Sequence, residues 1–301
     1  MTKHRLWIFL IIISIFGINI NSVFATPNLD SGSKIIFGGI TVDVNETYEN
    51  TEDYDNLPSI AHIFTATWCN PCVDVEHAIE DVANNTKLEM LSFHRFAGET
   101  EDPFGTENSE NWWKEWFNDS LPLQPTAIIN GVDSFIGAKQ GSYENIFEVS
   151  KEKPTINNNE KTTIIHTQFD SQTSVFEWNI TNSNVCENIK TFVHFVEESA
   201  YFPNGTNGLK NYTHIVHHVK ELDGASGTAD LTQEISQISP YDGDDLKLKI
   251  VFGCIKFNPD NPNSIQNENS DLSYTGFLPT TLIILGSALV YSNRYFLKCV
   301  D

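Results

Sequence analysis

Phe64-Thr65-Ala66-Thr67-Trp68-Cys69-Asn70-Pro71-Cys72 decides how this chain is read. Residues 60–67 form an apolar, β-branched run that reads as a buried strand. Residues 73–84 follow with helical periodicity and set Val75, Ile79, Val82 and Ala83 on one face. Two cysteines two residues apart therefore stand at a strand-to-helix junction. Free N–H groups and the macrodipole at a helix start favour a thiolate on the first sulfur. The second sulfur is close enough to attack a mixed disulfide from within the chain. This is the arrangement that thiol–disulfide exchange requires.

Outward from the motif, the pattern continues as a compact set of elements. Residues 88–96 read as a second strand. An insertion at 97–121 holds Asp102-Pro103-Phe104 and then a helix with Trp112, Trp113, Trp116 and Phe117, whose spacing suits core or lid packing. Residues 125–131, Pro125-Thr126-Ala127-Ile128-Ile129-Asn130-Gly131, read as a strand ending in a turn, and 132–138 pair back as a hairpin. Ser142 opens a helix that runs to 153. The order is strand, helix, strand, helix, strand, strand, helix, a mixed sheet covered by helices.

That order, the segment 64–72 and the later Gln124-Pro125-Thr126 resemble thioredoxin-like proteins. The resemblance implies an α/β thioredoxin-like domain at 57–153. It implies a cis Pro125 against the two cysteines, shaping a groove where the backbone of Gln124 adds a strand to an extended client. It implies Cys69 as an exposed nucleophile, Cys72 as the resolving thiol and Trp68 as a shield beside Cys69, although a purely structural Trp68 stays open. More finely, the chain is similar to exported, membrane-associated proteins that join such a domain to a C-terminal β-sandwich. Phe64, Thr65, Thr67, Trp68, Cys69, Cys72, Asp102-Pro103-Phe104, Pro125-Thr126 and Asn130-Gly131 carry that similarity, with residues 212–219 as a looser match. Two departures stand out. Ile63 holds the place where soluble thioredoxins carry a buried acid, and no proline stands near His77 in the active-site helix. Asn70-Pro71 does not fix the direction of exchange.

Beyond a polar joint at 154–161, strand-like runs separated by turn signals fill 162–257, the pattern of an all-β sandwich domain. Residues 26–56 read as an acidic N-terminal extension with one strand-like run at 35–44. Residues 1–25 read as a signal peptide: Lys3, His4 and Arg5, an apolar stretch at 6–18, then Val23-Phe24-Ala25 before Thr26. An uncleaved anchor is the alternative. Residues 258–275 form a solvated linker, and 276–297 read as a transmembrane helix followed by Lys298, with Arg294 snorkelling. A tail exchanged for a lipid anchor is the alternative. Either reading places the body of the chain outside the cytoplasm, tethered to a cell membrane.

The formal net charge is −22 and argues against nucleic acid or anionic lipid as a partner. Sequons at Asn45, Asn84, Asn118, Asn179, Asn204 and Asn211 could carry glycans in an exported chain. Cys186 and Cys254 make the natural structural disulfide in an oxidising compartment, two unpaired buried thiols being the alternative, while Cys299 would face the cytoplasm. His214, His217 and His218 lie close together, but on a strand they divide between two faces. His77 could tune Cys69 only from more than a turn beyond Cys72. No metal or cofactor motif stands out.

The expectation is thus a membrane-anchored, extracytoplasmic thiol–disulfide oxidoreductase. It would exchange disulfides with exported client proteins and with a membrane or extracytoplasmic redox partner. A surface binding or adhesion protein with a static Cys69–Cys72 disulfide is the second reading, and a copper or haem-maturation thiol carrier is a weaker third.

Overall fold

The computed structural model describes residues 34–117, 122–137, 142–156, 162–184, 186–243 and 245–256, with only the backbone at 142 and 143. The expected leader at 1–25, the linker at 258–275, the span at 276–297 and Cys299 lie outside the described residues. Among those described, no helix is long and apolar enough to cross a membrane.

Among the described residues twelve strands and four α-helices follow one another. The strands are β1 (Lys34–Asp43), β2 (Tyr48–Asp53), β3 (Ser59–Thr65), β4 (Leu88–His94), β5 (Thr126–Ile129), β6 (Asp133–Ile136), β7 (Ile164–Asp170), β8 (Val175–Thr181), β9 (Cys186–Tyr201), β10 (Asn211–Asp223), β11 (Ser226–Asp230) and β12 (Leu246–Lys256). The helices are α1 (Asn70–Ala83), α2 (Glu107–Phe117), α3 (Ser142–Lys151) and the short α4 (Thr232–Gln237).

The expected fold class, a helix-flanked thioredoxin-like domain followed by a separate sandwich, is overturned. The described chain is mainly β, 47% strand against 20% helix. One mixed sheet runs β1-β12-β9-β10-β4-β3-β5-β6. Its halves join where β10 pairs parallel with β4, Ile215 opposite Ser92. Strands assigned from sequence to two domains therefore lie in one sheet. The expected N-terminal extension is also part of the fabric, because β1 pairs antiparallel with β12 and β2 with β7.

The second sheet, β11-β8-β7-β2, is antiparallel. Alternate residues of β7 and β8 are buried, among them Ile165, Phe169, Phe176, Trp178 and Ile180. They pack against Phe37, Val193, Phe195, Leu248, Ile250 and Phe252 of the first sheet. The period of two is what a strand with one wet face requires. Cys186 and Cys254 join the start of β9 to β12. Closing a loop of this length constrains the unfolded chain by about 4 kcal/mol.

On one face of the large sheet, helices cover the β4-β3-β5 end. Val75, Ile79 and Val82 of α1 and Ile146 of α3 bury Ala61, Ile63, Met90, Ala127 and Ile129. β3 is buried at every position, as a central strand covered on both faces must be. At the β5–β6 turn, Asn130 (φ 52°) and Gly131 (φ 72°) adopt the left-handed pair that suits a tight hairpin. The Asn130 side chain accepts the Ile60 N–H at 3.0 Å and ties the turn to β3.

On the opposite face α2 lays Trp112, Trp113, Trp116 and Phe117 into a second core with Phe64, Phe93 and Phe192. This helix is core packing and forms no open cleft. It also buries two histidines. His62 stacks on Trp112 at 5.4 Å and meets Phe117 at 5.2 Å, with His194 5.9 Å away. Both are fully buried, and neither ring nitrogen of His62 has a protein partner. Burial drives both pKa values down, that of His194 to about 3, and the neighbouring imidazole lowers His62 further.

The unfolded chain takes up these two protons near pH 6.5, whereas the folded chain refuses them. The associated stability is full above that pH and is lost as pH falls, at about 1.4 kcal/mol per pH unit for each histidine. Urea unfolding between pH 7 and pH 4.5 measures this. His62→Phe should reduce the slope by about one proton, and identical slopes in the two proteins would refute the assignment.

Candidate functional site

β3 ends at Thr65 and delivers Ala66, Thr67 and Trp68 to the start of α1. Cys69 occupies the N-cap with extended backbone (φ −84°, ψ 94°), and Pro71 lies in the first turn, where its missing N–H is not needed. The Cys69 N–H donates to Ala66 O at 3.0 Å and the Cys72 N–H to Cys69 O at 3.1 Å. Cys69 and Cys72 form a disulfide. They pack with Ala66, and Trp68 lies against them.

The Gln124–Pro125 peptide is cis. Thr126, the next residue, pairs antiparallel with Phe64, so Pro125 enters β5 at the sheet end from which the chain runs into the motif. Pro125 is buried and its carbonyl accepts the Gly137 N–H at 2.8 Å. Gln124 is half-buried, and its Nε2 has no protein partner.

The expected exposure of Cys69 is corrected: it is 4% exposed, and Cys72 is fully buried. The loop between β9 and β10 docks on the turn that carries the pair. The N–H groups of Thr206 and Asn207 donate to Thr67 O at 3.0 and 3.1 Å. The Tyr212 hydroxyl donates to Asn207 Oδ1 at 2.8 Å and lies 3.3 Å from Thr67 O. Burial, with Asp102 and Glu76 nearby, pushes this hydroxyl up to about 12, which keeps it a donor. Gly205 is required at the contact, because a Cβ there would lie 1.9 Å from the Tyr212 oxygen.

Beneath the motif lies a set of ionisable groups. Asp102 Oδ2 accepts the Thr67 N–H at 2.8 Å and lies 2.7 Å from His94 Nδ1, while Oδ1 accepts the Phe104 N–H at 3.0 Å. This gives Asp102-Pro103-Phe104 a physical reason. His94, the last residue of β4, lies in register with Thr65. Thr65 Oγ1 donates to Glu76 Oε1 on α1. Glu76 is only partly exposed, and the dense protein around its carboxyl raises its pKa despite the Thr65 hydrogen bond and the nearby His94 and His77.

The Trp68 indole donates to Glu99 Oε2 at 2.7 Å. Burial opposes the charge on Glu99, but hydrogen bonds from Glu101, Trp68, Thr100 and Asp102 outweigh it and hold its pKa below the usual range.

Sequence reasoning missed Glu76, His94, Asn207 and Tyr212 as parts of this site. Helix arithmetic could have found Glu76, which follows Cys72 by four residues. Nothing local marks Asn207 or Tyr212. The other histidines do not gather: His214 lies near Glu198 and Lys249, His217 Nε2 is 2.7 Å from Glu197 Oε2, and His218 meets the Phe195 ring. His77 is exposed on α1. Among the described residues no group of three or more His, Cys, Asp or Glu side chains could hold a metal ion.

No family model matches the chain, and no curated protein matches it. Among solved structures it is similar to a structural-genomics protein of Agrobacterium tumefaciens, at 18% identity and a TM-score of 0.42, over 67% of this chain and 95% of that one. It is similar also to HBP35 of Porphyromonas gingivalis, at 10% identity and a TM-score of 0.34, over 65% and 63%. Neither similarity is close enough to carry an argument about fold or function.

Proposed function

We propose that the chain exchanges disulfides with exported proteins through Cys69 and Cys72, on the outer side of a membrane to which residues 276–297 tether it. The observation that carries this reading is the disulfide at the start of α1, at the sheet end where the cis Gln124–Pro125 peptide enters β5. A helix start stabilises the Cys69 thiolate as leaving group and as nucleophile. The resemblance of residues 64–72 and 124–126 to thioredoxin-like active-site segments supports the same chemistry. In the dithiol form the Cys69 thiolate attacks a client disulfide and releases one client thiolate, and Cys72 then attacks Cys69 Sγ, closing the pair and releasing the second client thiolate.

The second reading, a surface binding protein with a static disulfide, draws on one observation, the burial of Cys69 beneath a docked loop. The two readings part in a turnover assay. Insulin reduction by the wild type, and loss of it to background in Cys69→Ser, is the outcome expected of an exchanger. Cys72→Ser should accumulate mixed disulfides that a reductant releases. Equal, background-level turnover in wild type and Cys69→Ser would leave the binding reading in possession.

In the exchanger, the loop at 202–210 lifts to admit a client. Gly205→Ala places a Cβ against the Tyr212 hydroxyl and should displace that loop. The expected result is a several-fold faster reduction of Cys69–Cys72 by dithiothreitol, with the Cys186–Cys254 bond unaffected. Unchanged reduction kinetics would remove the gate.

A further inference from the structure

We infer that Glu76 is the group that accepts the proton of the Cys72 thiol when Cys72 closes the disulfide. The inference rests on the redox reading of Cys69 and Cys72 and adds to it a proton acceptor one helical turn beyond Cys72.

A thiol must lose its proton before it attacks. In this site the strand leading into the motif carries Ile63, which is fully buried among apolar side chains and offers no base. Two independent features put the Glu76 carboxylate beside Cys72 instead. First, both residues lie on α1, four positions apart, so their side chains are neighbours on one face. Secondly, the carboxylate is anchored by the hydroxyl of Thr65, and the next residue, Ala66, packs directly with Cys69 and Cys72.

The polar groups facing Glu76 are Thr65 from β3, His94 from the end of β4, Asp102 from the segment after it, His77 from its own helix and Tyr212 from β10. The His94–Asp102 pair is bound to the motif through the Thr67 N–H and so stands on the same side. A carboxylate whose protonated form is favoured by its surroundings is a better proton acceptor than an ordinary surface glutamate.

Cys69 is joined to a client sulfur in a mixed disulfide. The Cys72 S–H passes its proton to Glu76, and the Cys72 sulfur attacks Cys69 Sγ. The Cys69–Cys72 bond forms and the Cys69–client bond breaks, so the client leaves as a thiolate. The Cys69–Cys72 dithiol is thereby oxidised, and the client disulfide, the oxidant, is reduced by two electrons. In the reverse direction, Glu76 protonates Cys72 as it leaves.

The test uses the reduced full chain and an aryl disulfide whose released thiolate absorbs visible light. Attack by Cys69 releases one thiolate in a first phase, and resolution by Cys72 releases a second. In the wild type the second phase should level off at a lower pH than an unassisted thiol allows. In Glu76→Gln it should slow about tenfold near neutral pH and rise with pH toward that of an unassisted thiol, at about pH 8.5, while the first phase stays unchanged. Glu76→Asp, which keeps a carboxylate, should keep the wild-type profile. Superimposable second phases in wild type and Glu76→Gln would overturn the assignment. So would a wild-type second phase that follows the titration of an ordinary thiol, a readout that needs no variant to fold. Absence of the first phase in the wild type would refute the exchange reading itself, and the role of Glu76 with it.

Discussion

Thr67 is held from both sides. Its N–H is bound by Asp102, which His94 pairs, and its carbonyl takes the N–H groups of Thr206 and Asn207 with the Tyr212 hydroxyl beside them. The residue lies two positions before Cys69, so whatever fixes Thr67 fixes the turn that presents the sulfurs. The grip from above depends on a distant event, the parallel pairing of β10 with β4. That pairing brings the β9–β10 loop over a motif more than a hundred residues earlier in the chain. One sheet, rather than two domains on a linker, makes the covered disulfide possible.

Magnitudes decide whether such a cover can open. Hydrogen bonds between loop and turn contribute about 1 kcal/mol each, so three or four of them hold the loop by about 3–4 kcal/mol. That is less than the roughly 5–15 kcal/mol of a whole domain. The loop can therefore lift, in on the order of one molecule in a few hundred, without unfolding the sheets beneath it. The core under the motif is of a different kind. β3 is buried along its whole length, and α2 packs three tryptophans behind it, so the floor of the site stays rigid while its cover exchanges.

Much of the local structure was legible, because local structure leaves a local signal. The run at 60–67 reads as a strand, and β3 occupies Ser59–Thr65; the periodicity at 73–84 reads as a helix, and α1 occupies Asn70–Ala83. Asn130-Gly131 reads as a turn and adopts the two positive φ values that a tight hairpin needs. What failed was assembly. A parallel pair such as β4 and β10 is joined by long chain and leaves no mark in either strand's own pattern. The change of pattern near residue 160 therefore reads as a domain boundary, although strands on both sides of it lie in one sheet. The acidic character of 26–56 concealed β2, which presents alternating polar residues to water, whereas the run at 35–44 reads as a strand and β1 occupies Lys34–Asp43. At the site, Glu76 stood within reach of helix arithmetic, whereas the docking of Asn207 and Tyr212 required the three-dimensional register of β9 with β10.

The claim at the centre is that one of the two disulfides works and the other holds the sheet together. A redox titration of the folded chain, with differential alkylation of each cysteine read by mass spectrometry, addresses it directly. Cys69 and Cys72 should become labelled first, at a potential within the oxidoreductase range of about −120 to −270 mV, with the protein still folded. Cys186–Cys254 should resist to below about −300 mV. Labelling of all four cysteines together, or of Cys69 and Cys72 only as the sheets unfold, would contradict it.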